Sequence, residues 1–492
     1  MKKHIKIIFF LVLVKLIIQL IGNRNYGFHR DELLHLSVSE HLAFGFMEFP
    51  PFIGLIGKLS YWLFDYSLIG TRLFPTLAGV AILILCCQIA KELQGDWYSI
   101  FLSGVCVLAF LPFYRNHILF QPVAFDQLFW TLGFYYTIRY INTEHKNYLL
   151  FAGATLGIGL QNKYTILIWA FGIFIGLFFY KKRKLFKDKW LYIAGLLAMV
   201  IFLPNIIWQI QNGVPFLRHL QELKDSQLNE LNPLAFGLEQ LNYPLTFVIS
   251  MIGLVYLLQK RYRAIGIAAI VIFFSMWFLQ AKPYYVFALY PVLFAAGSVS
   301  ITKYLSNKNK IWIYGIASLL LLISLPFIPH LTPILPIEKY ISFYNIKEEN
   351  GRMELPDDYA DMFGWNEQVR LVDSVYQSLT PIEQAHCVLW AENYGEAGAL
   401  KILGKQYGLP KPISRHGSFW TWGYGQEDAT VWISLGNEPS SVKRVFEEFK
   451  LAKMIYHPYA IGEENGIPLY ICRQPKWNIQ QWWKDYEPYI FD

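Results

Sequence analysis

The sequence predicts a polytopic α-helical membrane protein with a smaller water-soluble α/β domain at its C-terminal end. Three observations carry this prediction. The 492 residues are 54% hydrophobic, 17% aromatic and 16% charged, whereas a soluble domain carries about 25% charged residues. Apolar runs recur through the first two thirds of the chain, and a helix needs about 20 apolar residues to cross a bilayer. The charge is also divided. Residues 1–335 hold 28 Lys+Arg against 14 Asp+Glu, and residues 336–492 hold 15 against 22. The basic part is read as a transmembrane domain, 1–335, and the acidic part as a separate domain, 336–492. Membrane topology accounts for the basic excess, so no nucleic-acid partner is expected.

The elements follow in order. Met-Lys-Lys-His-Ile-Lys resembles the start of a signal peptide. Its apolar run, Ile5 to Ile21, is long, has no small-residue cleavage site and is read as an uncleaved first span. Further spans are predicted at about 68–90, 97–113, 123–141, 148–161, 164–180, 190–211, 234–258, 263–280, 284–304 and 311–328, about 11 in all. With the basic N-terminus placed in the cytoplasm, Lys91, Arg139–Lys146, Lys181–Lys189, Lys260–Arg263 and Lys303–Lys310 all fall inside, as the positive-inside rule requires. An odd number of spans puts 336–492 outside a plasma membrane. The first outer loop, 22–67, is predicted to carry two amphipathic surface helices. One has Leu33, Leu34, Leu36, Leu42 and Phe44 on its apolar face. The other follows Pro50-Pro51, with Ile53, Leu55, Ile56, Leu59 and Trp62.

In the C-terminal domain, Asp361–Leu379 and Glu396–Gly404 are predicted as helices. Cys387–Ala391, Thr430–Leu435 and Leu469–Cys472 are predicted as strands, and Ser440–Phe449 as a capped amphipathic helix. Cys86, Cys87 and Cys106 lie in apolar runs. Cys387 and Cys472 could pair if this domain lies outside the cell.

Charged groups gather near the outer ends of the spans, where ionisable residues mark substrate sites. Asp31 and Glu32 open the first outer loop. Glu48 precedes the second surface helix, Asp126 lies one turn into the fourth span, and Lys163 with Tyr164 joins spans five and six. Arg218 and His219 follow span seven, Glu239 lies near the outer end of span eight, and Lys282 with Tyr285 opens span ten. Each has a plainer reading. Asp126 could cap its helix, Lys163 and Lys282 could anchor at the interface, and Glu48 and Glu239 could be solvated or paired. Arg72 could be a structural partner of one carboxylate. His29 and His35 could ligate a metal beside Asp31, although ordinary polar loop residues fit them better. A phosphate leaving group needs fixed cations, which Lys163, Lys282 and Arg218 could supply. A hydroxyl nucleophile needs a carboxylate base, which Asp31 or Glu32 could supply. An apolar groove beside them would suit a lipid-tailed substrate.

The order of short motifs adds to this. They are Asp31-Glu32, Gly45-Phe-Met-Glu48-Phe-Pro-Pro51, Arg72-Leu-Phe-Pro75, Pro122…Asp126…Phe129-Trp130, Asn162-Lys163-Tyr164 and Lys282-Pro-Tyr-Tyr285. In the C-terminal domain they continue with Tyr394-Gly-Glu-Ala-Gly-Ala399 and Trp420-Thr-Trp-Gly423. In this the chain resembles the integral-membrane glycosyltransferases of the GT-C class. Within that class it is most similar to the family of dolichyl-phosphate-mannose–protein mannosyltransferases and bacterial aminoarabinose transferases. The resemblance implies a GT-C fold of about 11–13 spans and a polyprenyl-phosphate sugar donor. It implies an extracytoplasmic active site that transfers the sugar to an acceptor hydroxyl on a lipid, glycan or protein, with inversion. It implies Asp31 as general base with Glu32 as neighbour, Lys163 on the lipid phosphate and Lys282 as a second cation. Glu48 stands where many relatives carry aspartate. No cofactor is required by this chemistry. A divalent metal held by Asp31, Glu48 and Asp126 stays open, as does a transporter or flippase of lipid-linked sugars.

Overall fold

A computed structural model of the chain describes residues 2–179, 183–228, 232–259 and 261–485. Lys181, Lys182 and Lys260, counted above among the basic loops, lie outside them. Every predicted span falls on helix, but the helices differ in length. Among the described residues five are long and apolar enough to cross a membrane: Lys3–Asn23, Leu68–Glu92, Lys189–Gln211, Pro283–Tyr304 and Ile311–Leu331. The chain is a multi-pass membrane protein. Trp97–Ala109, Asn147–Leu160, Ile166–Phe178 and Arg263–Phe278 are apolar helices of 13, 14, 13 and 16 residues. At 1.5 Å per residue they reach about 20–24 Å, less than the roughly 30 Å hydrocarbon core. The expected 234–258 span is not one helix. Leu234–Asn242 and Pro244–Leu257 meet at 108°, because Pro244 has no N–H to continue the ladder. Counting that pair as one span gives up to six full-length crossings among the described residues, by length and composition, with the shorter apolar helices at other predicted spans beside them.

The long helices are built inside out relative to those of a soluble protein. Along Lys2–Asn23, Phe9, Phe10, Leu13 and Ile17 are exposed, while Lys15, Gln19 and Asn23 are buried four residues apart on the inward face. Lys189–Gln211 repeats the pattern, with Leu196, Met199, Leu203 and Ile207 outward and Asn205 and Gln209 inward. Lipid accepts apolar side chains readily, so polar groups turn towards protein partners.

Two short helices follow the first span. His29 caps Arg30–Val38 in a reciprocal box with Glu32. This helix stops at Val38, where the Ser39 hydroxyl donates to the Leu36 carbonyl at 2.6 Å. Leu42 and Phe44, expected on its apolar face, therefore lie beyond it and are exposed. Phe52–Phe64 buries Ile53, Gly54, Gly57 and Ser60 and exposes Leu55, Leu59, Trp62 and Leu63.

The C-terminal domain has seven strands: β1 (Glu348–Glu349), β2 (Arg352–Met353), β3 (Cys387–Ala391), β4 (Pro412–Ile413), β5 (Val431–Leu435), β6 (Phe446–Ile455) and β7 (Ile467–Pro475). The first two form a small hairpin. The rest form one sheet in the order β4-β3-β5-β7-β6. β3, β4 and β5 are parallel, and β7 runs antiparallel to both of its neighbours. The predicted helix over 440–449 is only half correct. Pro439–Val445 is helical, and the chain then enters β6. Eight of its ten residues find a partner in β7, and that long-range pairing overrides the local helical period. Cys387 and Cys472 do not pair. β5 lies between their strands, and their side chains sit in clusters on opposite faces of the sheet.

The domain packs directly on the membrane part. Helix Tyr394–Ile402 lies against Arg30–Val38, and a Cβ on Gly398 would stand 2.8 Å from the Leu33 Cβ. Leu33, Trp365, Ala397 and Leu400 belong to one continuous core.

Candidate active site

Asp31 and Glu32 are consecutive, but the fold treats them differently. Glu32 is fully buried against fully buried Arg72, which donates to it through Nε at 3.1 and 3.2 Å and Nη2 at 2.8 Å. The backbone N–H groups of His29 and Phe120 also donate to Glu32, each at 2.9 Å. Both oxygens are committed, so Glu32 acts as a structural bolt between the first loop, the Leu68–Glu92 helix and the 117–121 turn. Arg72 is its partner.

Asp31 is only partly buried. Its Oδ2 accepts from the Gln121 amide at 2.8 Å and its Oδ1 from the Tyr394 hydroxyl at 2.8 Å. Ionised carboxylate oxygens have about four lone-pair sites between them, so each oxygen keeps capacity for another donor. Burial pushes the Asp31 carboxyl up. The fields of His29 and His35, the Tyr394 hydrogen bond and the field of Arg115 outweigh it and hold it below the ordinary carboxylate value. It is an ionised base near neutrality.

The C-terminal domain brings charges to the same spot. Arg115 grips Asp358 with two bonds of 2.6 Å. Arg30 donates to Asp361 at 2.7 Å and lies 2.5 Å from Glu463. His29 Nδ1 accepts from the Asp31 N–H at 3.2 Å, and its Nε2 faces Asp361 at 3.2 Å. His29 and His35 are therefore not grouped as metal ligands. The His35 Nδ1 donates to the Phe120 carbonyl at 2.8 Å.

A pair of lysines follows, of which Lys282 lies within the field of Asp31. Lys163 Nζ sits over the Tyr285 ring at 3.9 Å and the Tyr284 ring at 5.6 Å, and Asp126 lies within its field. Asp126 is buried, and its Oδ2 accepts from the Thr165 hydroxyl at 2.8 Å. Tyr164 donates to Asn205 at 2.8 Å. Burial, and then the charge of Lys163, push the Lys282 ammonium below its ordinary value, while Asp31 pulls it back. His219 is pushed down to about 4, by burial first, with Lys163 and Lys282 adding to it. Lys282 lies within the field of a second lysine, Lys163, and a bound anion would relieve that repulsion. An apolar cavity of about 320 Å³ opens beside them, lined by Leu167, Ile168, Phe171, Ser275, Phe278 and Leu279. One wall is the helix that starts just after Lys163, and the other is the helix that ends just before Lys282.

Two expected ligand groups have other duties. Glu48 accepts from the Ser418 N–H at 2.7 Å and the Ser418 hydroxyl at 2.5 Å, which ties the first loop to the C-terminal domain. Gly417, at φ +51°, makes room for it, since a Cβ there would lie 1.8 Å from Oε1. Arg218 pairs with Glu222 one turn along its own helix, at 2.7 Å. Asp31, Glu48 and Asp126 are not assembled into one oxygen-rich site. Among the described residues no three His, Cys, Asp or Glu side chains are grouped to hold a metal. Sequence reasoning missed Arg115, Gln121, Asp358 and Asp361. Arg115 and Gln121 lie in a predicted outer loop at the depth of the other charges. The two aspartates gave no signal, because their partners are more than 240 residues away.

Residues 48–208 match the family model described as dolichyl-phosphate-mannose-protein mannosyltransferase. No curated protein matches the chain in sequence. Among solved structures it resembles ArnT from Cupriavidus metallidurans bound to undecaprenyl phosphate. The TM-score is 0.62 and the identity 12%, over 94% of this chain and 97% of that one. The apo form of the same protein gives 0.60 at 12% identity, over the same shares. The fold is the GT-C fold. The matched segment, 48–208, runs from Glu48 through Arg72, Asp126 and Lys163. Asp31, Lys282 and the whole C-terminal domain lie outside that segment, and tertiary packing brings them to it.

Proposed function

We propose that this chain is a glycosyltransferase that moves a sugar from a polyprenyl-phosphate donor to an acceptor hydroxyl on the extracytoplasmic face of the membrane. The observation that carries this is one arrangement: an ionised, partly open carboxylate, Asp31, whose field reaches Lys282, with Lys163 repelling Lys282, and an apolar cavity between the helix that follows Lys163 and the helix that precedes Lys282. The family match and the fold shared with a protein that binds undecaprenyl phosphate support it. The polyprenyl tail lies along the cavity, and its phosphate meets Lys163 and Lys282. The acceptor oxygen attacks the anomeric carbon as the C–O bond to phosphate breaks, and Asp31 takes the acceptor proton. The phosphate leaves with the bonding electrons, stabilised by the two lysines, and a single displacement inverts the anomeric centre. None of these steps needs a metal. The basic loops of the sequence support a cytoplasmic N-terminus and an outer site.

A flippase would favour a helix broken at mid-membrane. Here the bend follows Asn242, with most of the apolar span still to come, which does not favour that reading. The test is transfer from radiolabelled polyprenyl-phosphate sugars to cell-envelope acceptors by protein in nanodiscs. Wild type is expected to transfer with inversion, read by NMR of the product, and Asp31→Asn is expected to be inactive with its fold intact. An Asp31→Asn protein that transfers at the wild-type rate would remove the base assignment.

A further inference from the structure

The tertiary packing gives the Tyr394-Gly-Glu-Ala-Gly-Ala399 motif a physical purpose. Asn393 caps the helix, accepting from the N–H groups of Gly395 at 2.8 Å and Glu396 at 3.0 Å. Glu396 answers by accepting from Glu392 N–H at 2.8 Å, and Asn393 is itself anchored to Glu464 at 2.8 Å. The two glycines allow close approach. A Cβ on Gly395 would meet the Trp365 ring at 2.7 Å and Arg30 Cβ at 3.1 Å, and one on Gly398 would meet Leu33 Cβ at 2.8 Å. With those Cβ atoms absent, the first residue of the helix, Tyr394, reaches over the first-loop helix. Its ring rests on His416, with centroids 4.6 Å apart, and its hydroxyl donates to Asp31 Oδ1. Burial, with Asp31 alongside, pushes the phenol well above its ordinary value, so it keeps the proton it donates.

We infer that Tyr394 is a positioning residue for the proposed base: the C-terminal domain completes the active site by fixing the Asp31 carboxylate through one hydroxyl, with Gln121 fixing the other oxygen. This rests on the reading of Asp31 as base. Two fixed donors, one per oxygen, set the carboxylate plane and leave a lone pair on each oxygen for an incoming acceptor O–H. The Tyr394 bond also favours the ionised form, so its loss makes Asp31 easier to protonate. The other charged groups around Asp31 are His29, His35, Arg115, Lys282, Asp358 and Asp361. A Tyr394→Phe change leaves all of them in place.

The test has two readouts in full-length protein in nanodiscs. Infrared difference spectra, with Asp31→Asn subtracted to isolate the carboxyl band, give the Asp31 titration midpoint without any need for turnover. Tyr394→Phe is expected to raise it by about one unit. Replacing tyrosine by 3-fluorotyrosine at 394 keeps the hydroxyl and strengthens it as a donor, so it is expected to lower the midpoint. It also serves if the phenylalanine variant fails to fold. In transfer assays Tyr394→Phe is expected to lower kcat about tenfold, leave donor KM within twofold, and move the acid limb of the kcat/KM profile to higher pH. An Asp31 midpoint that neither variant moves overturns the inference, whatever the activity. A midpoint that moves in a protein that transfers no sugar keeps the positioning role and overturns the proposed function instead.

Discussion

The two ends of the Leu68–Glu92 helix, about 35 Å apart at 1.5 Å per residue, handle charge in opposite ways. At the far end Glu92 pairs with Arg139 at 2.8 Å, both partly exposed, and helices of the membrane part supply the whole network: Asn142 donates to the Glu92 backbone carbonyl at 2.8 Å and Tyr262 to the same carbonyl at 3.1 Å. At the site end Arg72 and Glu32 have no exposed surface, and Arg30 and Arg115 reach across to Asp361 and Asp358 of the C-terminal domain. A partly wet pair between neighbouring helices contributes little. A buried pair is costly to assemble and costlier to break. Under the proposed function, that cost goes to holding one carboxylate, Asp31, still and ionised within reach of Lys282.

The largest effect that would test this contrast is at Asp31. Asp31→Asn is expected to lower kcat by on the order of 10²–10⁴-fold, the range for a lost general base, with an unchanged melting temperature. Arg72→Met comes next. It leaves Glu32 buried and unpaired and is expected to cost about 3–5 kcal/mol of stability, read by thermal unfolding in nanodiscs. Adding Glu32→Gln is expected to recover part of it, and if the double variant is no better the pair is not the bolt described here. Lys163→Ala is expected to raise donor KM about tenfold, as for a lost charged hydrogen bond, with a smaller change in kcat.

The pH dependence is subtler. In the proposed reading the charged form of Lys282 holds phosphate, and burial and Lys163 make it give up its proton at lower pH than an exposed lysine. Donor KM is therefore expected to climb as pH rises through the alkaline range, and Lys282→Arg is expected to flatten that climb. A KM independent of pH would take Lys282 out of the phosphate site. The smallest effect belongs to the far end, where Arg139→Ala is expected to shift stability by less than about 1 kcal/mol and leave transfer unchanged. A large loss there would erase the contrast between the two ends.

Much of the site was legible before the structure, for a specific reason. Asp31, Lys163 and Lys282 are ionisable groups at the ends of apolar runs, where lipid makes any unneeded charge expensive. Glu48 and Arg218 gave the same signal and proved to be bound elsewhere, to Ser418 and Glu222. A charge at the right depth says that a group has a partner without saying which one. β6 failed differently. Residues 446–449 continue a helical period, and only β7, twenty residues further on, makes them a strand.

The sequence by itself determined that the chain is a multi-pass helical membrane protein with an α/β domain after residue 335, because the composition and period of apolar residues answer directly to lipid and to a sheet's two faces. It also supplied the adjacent carboxylates. Only the tertiary structure separated them. Glu32 became a closed ion pair because Arg72 lies beside it, and Asp31 stayed open because its partners, Gln121 and Tyr394, are single-bond donors that arrive from 90 and 363 residues away. Chain order does not encode such distances, and packing two glycines against one helix does.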